Sequence, residues 1–212
     1  SGICPDNPRV YFGLDRMKTD VTECINLIND VQICPSCCGT LEYDYRRYHH
    51  IGKAHCADCG FESPESDYFA TDIDTEAKTM TVSDKDGTME YSLLSDSIFN
   101  IYNMVTVIAA LRELGLTHEE IKAGLEKTKI LETRFNAQKA GNVTVVMQMS
   151  KDKNALAGSR AFDYISGLPG QKELILMMNC IHDQQHWSEN VTWLYDCDFE
   201  FLNKENITRI VA

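Results

Sequence analysis

Two cysteine pairs, Cys34-Pro35-Ser36-Cys37 and Cys56-Ala57-Asp58-Cys59, stand with eighteen residues between them. A C-x2-C…C-x2-C pattern at that separation is a four-thiolate zinc signature, and it constrains the fold more than any other feature here. A two-residue gap lets both sulfurs of a pair reach one ion, and Gly39 and Gly60 follow the pairs where tight turns require them. Four sulfurs complete a tetrahedral sphere and leave no position for water, so Cys34, Cys37, Cys56 and Cys59 predict a structural Zn²⁺ rather than a catalytic one. Cys38 competes with Cys37 for a ligand position, and the two-residue spacing favours Cys37. His49, His50 and His55 are alternative ligands and are read as surface histidines. The intervening LEYDYRRYHHIGKAH predicts a short hairpin turning near His50 to Gly52, so a ribbon spans about 31–66.

Nine cysteines is an odd number, and four belong to the metal pattern, which points to a reducing cytoplasm rather than a disulfide framework. Asn-x-Thr triplets at Asn142, Asn190 and Asn206 are common by chance and do not outweigh this. A formal charge of −12 opposes a general nucleic-acid binder, whose phosphate contacts need a basic face. The only concentrated basic patch is Arg46-Arg47-Tyr48-His49-His50. The longest apolar candidate, Leu174 to Ile181, is strand-sized and broken by Asn179, so no membrane span is expected.

After the ribbon, Asp67 to Leu94 alternates as two or three antiparallel strands, with Asp86-Gly87 as a hairpin turn. Ile98 to Leu114 has the apolar spacing of a helix stopped by Gly115, and Thr117-x-x-Glu120 forms a capping box for a second helix to about Lys127. A loop carrying Arg134 leads to Val143–Met149, which reads as a buried strand. Asn154 to Ser166 is helical, and Leu174–Ile181 and Ile207–Val211 are further strands. Strands alternating with helices predict an α/β fold with a parallel sheet. Ending on a third strand, the chain reads as a piece of something longer.

His182-Asp183-Gln184-Gln185-His186 raises a metalloprotease reading. That chemistry needs two histidines on one helical face and a glutamate base. Here the motif follows a strand and carries the shorter aspartate, which speaks against it.

Ile98-Phe99-Asn100-Ile101-Tyr102-Asn103, followed by Ala109-Ala110-Leu111-Arg112-Glu113-Leu114-Gly115-Leu116, resembles the F-N-x-Y-N…L-x-E-L-G-L helix of Mur ligases. A four-cysteine ribbon just ahead of it narrows the resemblance to the MurT-type branch of that family. Ser150-Lys151-Asp152-Lys153-Asn154-Ala155 is similar to the start of the family's C-terminal domain. Val191-Thr192-Trp193-Leu194-Tyr195-Asp196-Cys197-Asp198-Phe199-Glu200 is similar to its S-W-I-Y-D-x-D-F-E segment. The resemblance runs in order along the chain. It implies the C-terminal part of a Mur ligase central ATPase domain at 1–140, carrying the ribbon, and the start of a Rossmann-like C-terminal domain at 141–212.

The resemblance also implies a function. MurT-type subunits use ATP to activate the glutamate α-carboxyl of a lipid II stem peptide, and ammonia from a partner glutaminase, of the class I amidotransferase type, gives the amide. Magnesium and cationic clamps on the transferred phosphoryl group go with that chemistry. On this resemblance Asn100 and Asn103 lie near the adenine, Arg134 near the ribose or phosphates, and Lys151 near the phosphates or the carboxylate. The work would be done in the cytoplasm, at the inner membrane surface where the substrate resides. Each of these residues also has an ordinary reading as a solvated or capping side chain.

Three departures stand against the pattern. The family's G-T-x-G-K-T phosphate loop is absent; Gly52-Lys53 lies in the ribbon and is followed by Ala54. This chain alone is therefore expected not to hydrolyse ATP. Ser97 replaces a glycine before the F-N pair. His186-Trp187-Ser188-Glu189-Asn190 replaces the acidic A-D-G-x-D loop, so the aspartate that completes the partner's glutaminase triad falls at Asn190. Asparagine can orient a histidine but cannot stabilise imidazolium by charge, and Glu189 or Asp183 are alternatives. A second reading, of another class, is a non-catalytic scaffold that keeps the ribbon and the α/β half for protein binding.

Overall fold

The computed structural model describes residues 7–128, 135–150, 154–177 and 192–212. In chain order the strands and helices are β1 (Phe12–Leu14), β2 (Leu41–Tyr48), β3 (Ile51–Cys56), β4 (Tyr68–Asp74), β5 (Thr79–Asp84), β6 (Gly87–Ser92), α1 (Ile98–Glu113) and α2 (His118–Leu125). They continue as β7 (Phe135–Ala140), β8 (Val143–Gln148), α3 (Ala155–Gly167), β9 (Lys172–Ile175) and β10 (Ile207–Val211), with 3-10 turns at Thr192–Asp196 and Phe199–Leu202. The chain forms two compact units: Ser1–Glu23 with Val31–Ile130, and Cys24–Asp30 with Leu131–Ala212.

The first unit is built on a four-stranded sheet in the order β1-β4-β5-β6. β5 pairs antiparallel with β4 and β6, and Asp84 faces Gly87 across the expected tight turn. β1, only three residues long, joins parallel to β4 through Phe12–Tyr68 and Leu14–Ala70. Alternation along the strands turns Ala70, Met80, Val82 and Tyr91 inward, where Ile101, Val105 and Ile108 of α1 and Ile121 of α2 meet them, each at most 1% exposed. Each such aliphatic side chain contributes about 1.5–3 kcal/mol by leaving water. α1 stops where Gly115 takes φ +92, a conformation that a Cβ would oppose. α2 opens on the expected capping box: the Thr117 side chain accepts from the Glu120 N–H, and the Glu120 carboxylate accepts from the Thr117 N–H at 2.8 Å. Beneath α2, the Tyr91 hydroxyl lies 2.7 Å from His118 Nδ1, and His118 Nε2 lies 3.3 Å from Asp84, which also receives Arg112 Nε at 2.6 Å.

The β2–β3 hairpin is inserted between β1 and β4 and turns at His49-His50, close to the expected place. Its histidines are not uniformly on the surface: His49 is buried, while His50 is exposed. The basic patch also dissolves, because Arg46 and Arg47 are buried. Register shifts between Tyr43 and Tyr45, and between Arg46 and Tyr48, break the simple inside–outside alternation and turn consecutive residues inward.

In the second unit β9 and β10 pair in parallel, as the α/β reading requires. α3 is capped by the Asn154 side chain, which accepts from the Ala157 N–H at 2.9 Å. Its Phe162 packs with Leu174, Cys197 and Leu202, and Phe162 and Phe199 bring their rings to 4.9 Å. One expectation fails. The apolar strand Val143–Gln148 is exposed along its length and pairs antiparallel with β7 rather than in the parallel pair. Apolar composition alone does not report burial when, among the described residues, a strand has only a hairpin partner.

Candidate functional site

The ribbon brings the four predicted sulfurs together. Cys34, Cys37, Cys56 and Cys59 lie within 4.8 Å of one another. Cys34 and Cys59 sulfurs are 3.7 Å apart, and those of Cys37 and Cys56 are 3.6 Å apart. Each pair forms a knuckle whose backbone points at sulfur: Ser36 N–H donates to Cys34 Sγ, Gly39 N–H to Cys37 Sγ, and Asp58 N–H to Cys56 Sγ, at 3.3–3.4 Å. Gly39 keeps this knuckle tight: a Cβ there would sit 3.1 Å from Cys37 Sγ and would displace the exposed Asp58 carboxylate. Cys38, with φ +62 and an exposed side chain, stays outside the cluster, and Cys37 lies within it.

The electrostatics fit a dication. Burial pushes the Cys34 thiol up, but the N–H groups of Cys37 and Ser36, together with the Cys59 and Cys56 thiols, outweigh this and draw it down to about 7. The Gly39 N–H draws Cys37 down, yet the neighbouring sulfurs of Cys59 and Cys56 drive it up to about 12. Four thiolates this close repel one another, so an ion of charge +2 such as zinc is what would allow all four to ionise. The cluster can hold such an ion, and the donor set has no vacancy for substrate.

The predicted nucleotide residues in the described part of the chain both lie on α1. Asn100 is half-buried, Asn103 is exposed, and they are one helical turn apart. Arg134, Lys151 and Asn190 lie outside the described residues, as do Asp183, Glu189 and the two histidines of the 182–186 motif. A cavity of about 430 Å³ opens beside Asp67, Tyr68, Asp84, Lys85 and Glu113. Three carboxylates against one lysine make it a poor cradle for a polyphosphate.

Sequence reasoning missed a buried charge. Arg47 Nε and Nη2 donate to the two carboxylate oxygens of Asp20 at 3.0 and 2.7 Å, Nη2 also donates to the Asp15 carbonyl at 2.8 Å, and Nη1 donates to the Tyr102 hydroxyl at 2.5 Å. The side chains of this pair are 3% and 0% exposed. Asp20 stands 27 residues before Arg47, so no local pattern announces the partnership. In the second unit the W-L-Y-D-C-D-F-E segment is structural: Trp193 and Phe199 pack on the core, and buried Asp198 accepts from Asn26 Nδ2 at 2.9 Å and from the Leu27 N–H.

Residues 151–212 match the family described as MurT ligase C-terminal. Over that segment the chain is similar to MurT-type ligases, and the similarity extends beyond it. It is 28% identical over 203 residues to the lipid II isoglutaminyl synthase (glutamine-hydrolyzing) subunit MurT of Staphylococcus aureus (strain COL), an alignment covering 96% of this chain and 44% of that protein. Against the subunit of the same name from Streptococcus pneumoniae (strain ATCC BAA-255 / R6) it is 26% identical over 206 residues, again covering 44% of the relative. The MurT-like chain thus spans less than half the length of these relatives. A solved pseudomurein peptide ligase type C from Methanothermus fervidus superposes with a TM-score of 0.61 at 24% identity, over 78% of this chain and 32% of that one, which shows the shared fold. No helix among the described residues is long and apolar enough to cross a membrane.

Proposed function

We propose that this MurT-like chain is part of an ATP-dependent amide ligase of peptidoglycan precursor synthesis. It would amidate the glutamate α-carboxyl of the lipid II stem peptide with ammonia from a partner glutaminase. The observation that carries the reading is colinear similarity over 96% of the chain to a subunit of lipid II isoglutaminyl synthase. The four-sulfur cluster, found where the resemblance puts it, supports the same reading.

In this proposal 1–140 belongs to the central ATPase domain and 141–212 to the C-terminal domain. Cys34, Cys37, Cys56 and Cys59 hold Zn²⁺ and fix the two knuckles. Asn100 and Asn103 present amide donors and acceptors to the adenine from the open side of α1. Arg134 and Lys151 supply positive charge toward the phosphates or the substrate carboxylate. ATP, bound with Mg²⁺, supplies the phosphoryl group that activates the carboxylate. Asn190, or Glu189 beside it, orients the histidine of the partner's Cys-His pair. The work takes place in the cytoplasm at the membrane surface that carries lipid II. Depleting the gene and analysing cell-wall peptides tests this. The proposal expects stem peptides to shift from α-amide to free carboxylate; an unchanged amide content contradicts it.

A further inference from the structure

The ribbon has two ends, and the four sulfurs gather at only one. Leu41 and Cys56, paired beside the knuckles, begin and end the hairpin, while Arg47 and Tyr48 lie at its other end by the His49-His50 turn. Six residues of strand separate Leu41 from Arg47, roughly 20 Å. That far end meets α1: Arg47 donates to the Tyr102 hydroxyl, and Tyr48 and Phe99 bring their rings to 5.3 Å.

Helical geometry makes these contacts specific. At 3.6 residues per turn, Ile101, Met104, Val105 and Ile108 share the arc that enters the core. Phe99 and Tyr102 share a second arc, which the ribbon touches through Tyr48 and Arg47. Asn100 and Asn103 fall on a third, open arc beside it. The start of α1 has little local support of its own: Ser97 makes no side-chain capping bond, and the first turn carries no acidic residue. Its other end is held separately, where Arg112 reaches Asp84, Asp86 and the Leu116 carbonyl. A buried Arg–Asp pair adds little net stability over apolar packing, so its value at this place is the fixed direction of its hydrogen bonds.

We infer that Arg47 and Tyr102 are positioning residues, through which the turn end of the zinc ribbon sets the pitch and rotation of the first turns of α1. The ribbon thereby tunes nucleotide affinity without touching the nucleotide. This inference rests on the reading that Asn100 and Asn103 face the adenine.

The test uses the full-length gene product with its glutaminase partner, reading KM and kcat for ATP, Kd for a non-hydrolysable ATP analogue by calorimetry, and hydrogen exchange across 98–104. Tyr102→Phe keeps the ring and deletes only the acceptor of Arg47. It is expected to raise KM and Kd about three- to tenfold with kcat little changed, and to speed exchange in the first turns of α1. Arg47→Lys, which keeps charge but loses the fork, is expected to do the same. Arg112→Lys, at the opposite end of the same helix, is expected to lower thermal stability and leave Kd alone. Unchanged Kd in Tyr102→Phe, with weakened binding in Asn103→Ala, overturns the brace and leaves the adenine reading standing. Equal losses in the Arg112 and Tyr102 variants overturn it as mere destabilisation. Unchanged Kd in Asn103→Ala overturns the adenine reading and the inference together.

Discussion

Replacing Asp20 by asparagine isolates the buried pair at the turn end of the ribbon. Asp20 accepts both arms of Arg47, at 3.0 and 2.7 Å, and the Met17 N–H at 2.8 Å, with no exposed side-chain surface. Asparagine offers one acceptor oxygen and turns its NH2 toward groups that are all donors. The guanidinium keeps its charge, its bond to Tyr102 and its bond to the Asp15 carbonyl, but loses its counter-ion in a site only 3% exposed. Breaking such a pair from one side costs about 3–5 kcal/mol. For a unit of this size that corresponds to a fall in Tm of roughly 12–20 °C. Asp20→Asn with Arg47→Met removes both charges and should recover most of the loss. Thermal and urea unfolding followed by far-UV circular dichroism give the three values. A loss below about 1 kcal/mol in the single variant, or a double variant no more stable than the single, would refute a buried, mutually dependent pair.

Further outcomes follow from other sites. Burial pushes the Asp84 carboxyl up, but Arg112, the Asp86 N–H and His118 together hold it below its ordinary value of 3.8. Its contribution is therefore complete above about 3.8 and lost as pH falls through the lower folded value, so Asp84→Asn should be less stable at neutral pH and converge with wild type in acid. Chelation should release about one zinc per chain and open Cys34, Cys37, Cys56 and Cys59 to alkylation, read by mass spectrometry. Cys197, buried and pushed up to about 11 by burial and by Asp198 and Asp196, should stay unlabelled in the folded protein. Gly52→Ala places a Cβ 2.0 Å from the Tyr45 carbonyl oxygen, a backbone atom, and should cost roughly 2 kcal/mol or more in thermal unfolding.

What the sequence disclosed follows the range of the interactions involved. Both cysteine knuckles were legible because each is closed within a few residues, by cysteine spacing and by N–H groups pointing at sulfur. The Thr117 capping box was legible for the same reason, and so was the β5–β6 hairpin, whose turn falls at Lys85-Asp86, one residue before the expected Asp86-Gly87. Three-residue β1 was invisible, since only its parallel pairing with β4, far along the chain, makes it a strand. The Arg46-Arg47 pair read as a surface patch because charge normally means solvent. Two register shifts in β2 and the distant Asp20 reverse that expectation. The exposed β8 shows the converse, an apolar pattern without a covering layer among the described residues.

Reconstitution is the decisive assay for the proposed amidation of lipid II. The full-length gene product, purified with its glutaminase partner, is supplied with lipid II, glutamine, ATP and Mg²⁺, and the stem peptide is analysed by mass spectrometry. Conversion of the glutamate α-carboxyl to the amide, dependent on both ATP and glutamine, is the expected result. An unmodified stem peptide, from a folded complex that hydrolyses glutamine, would contradict it.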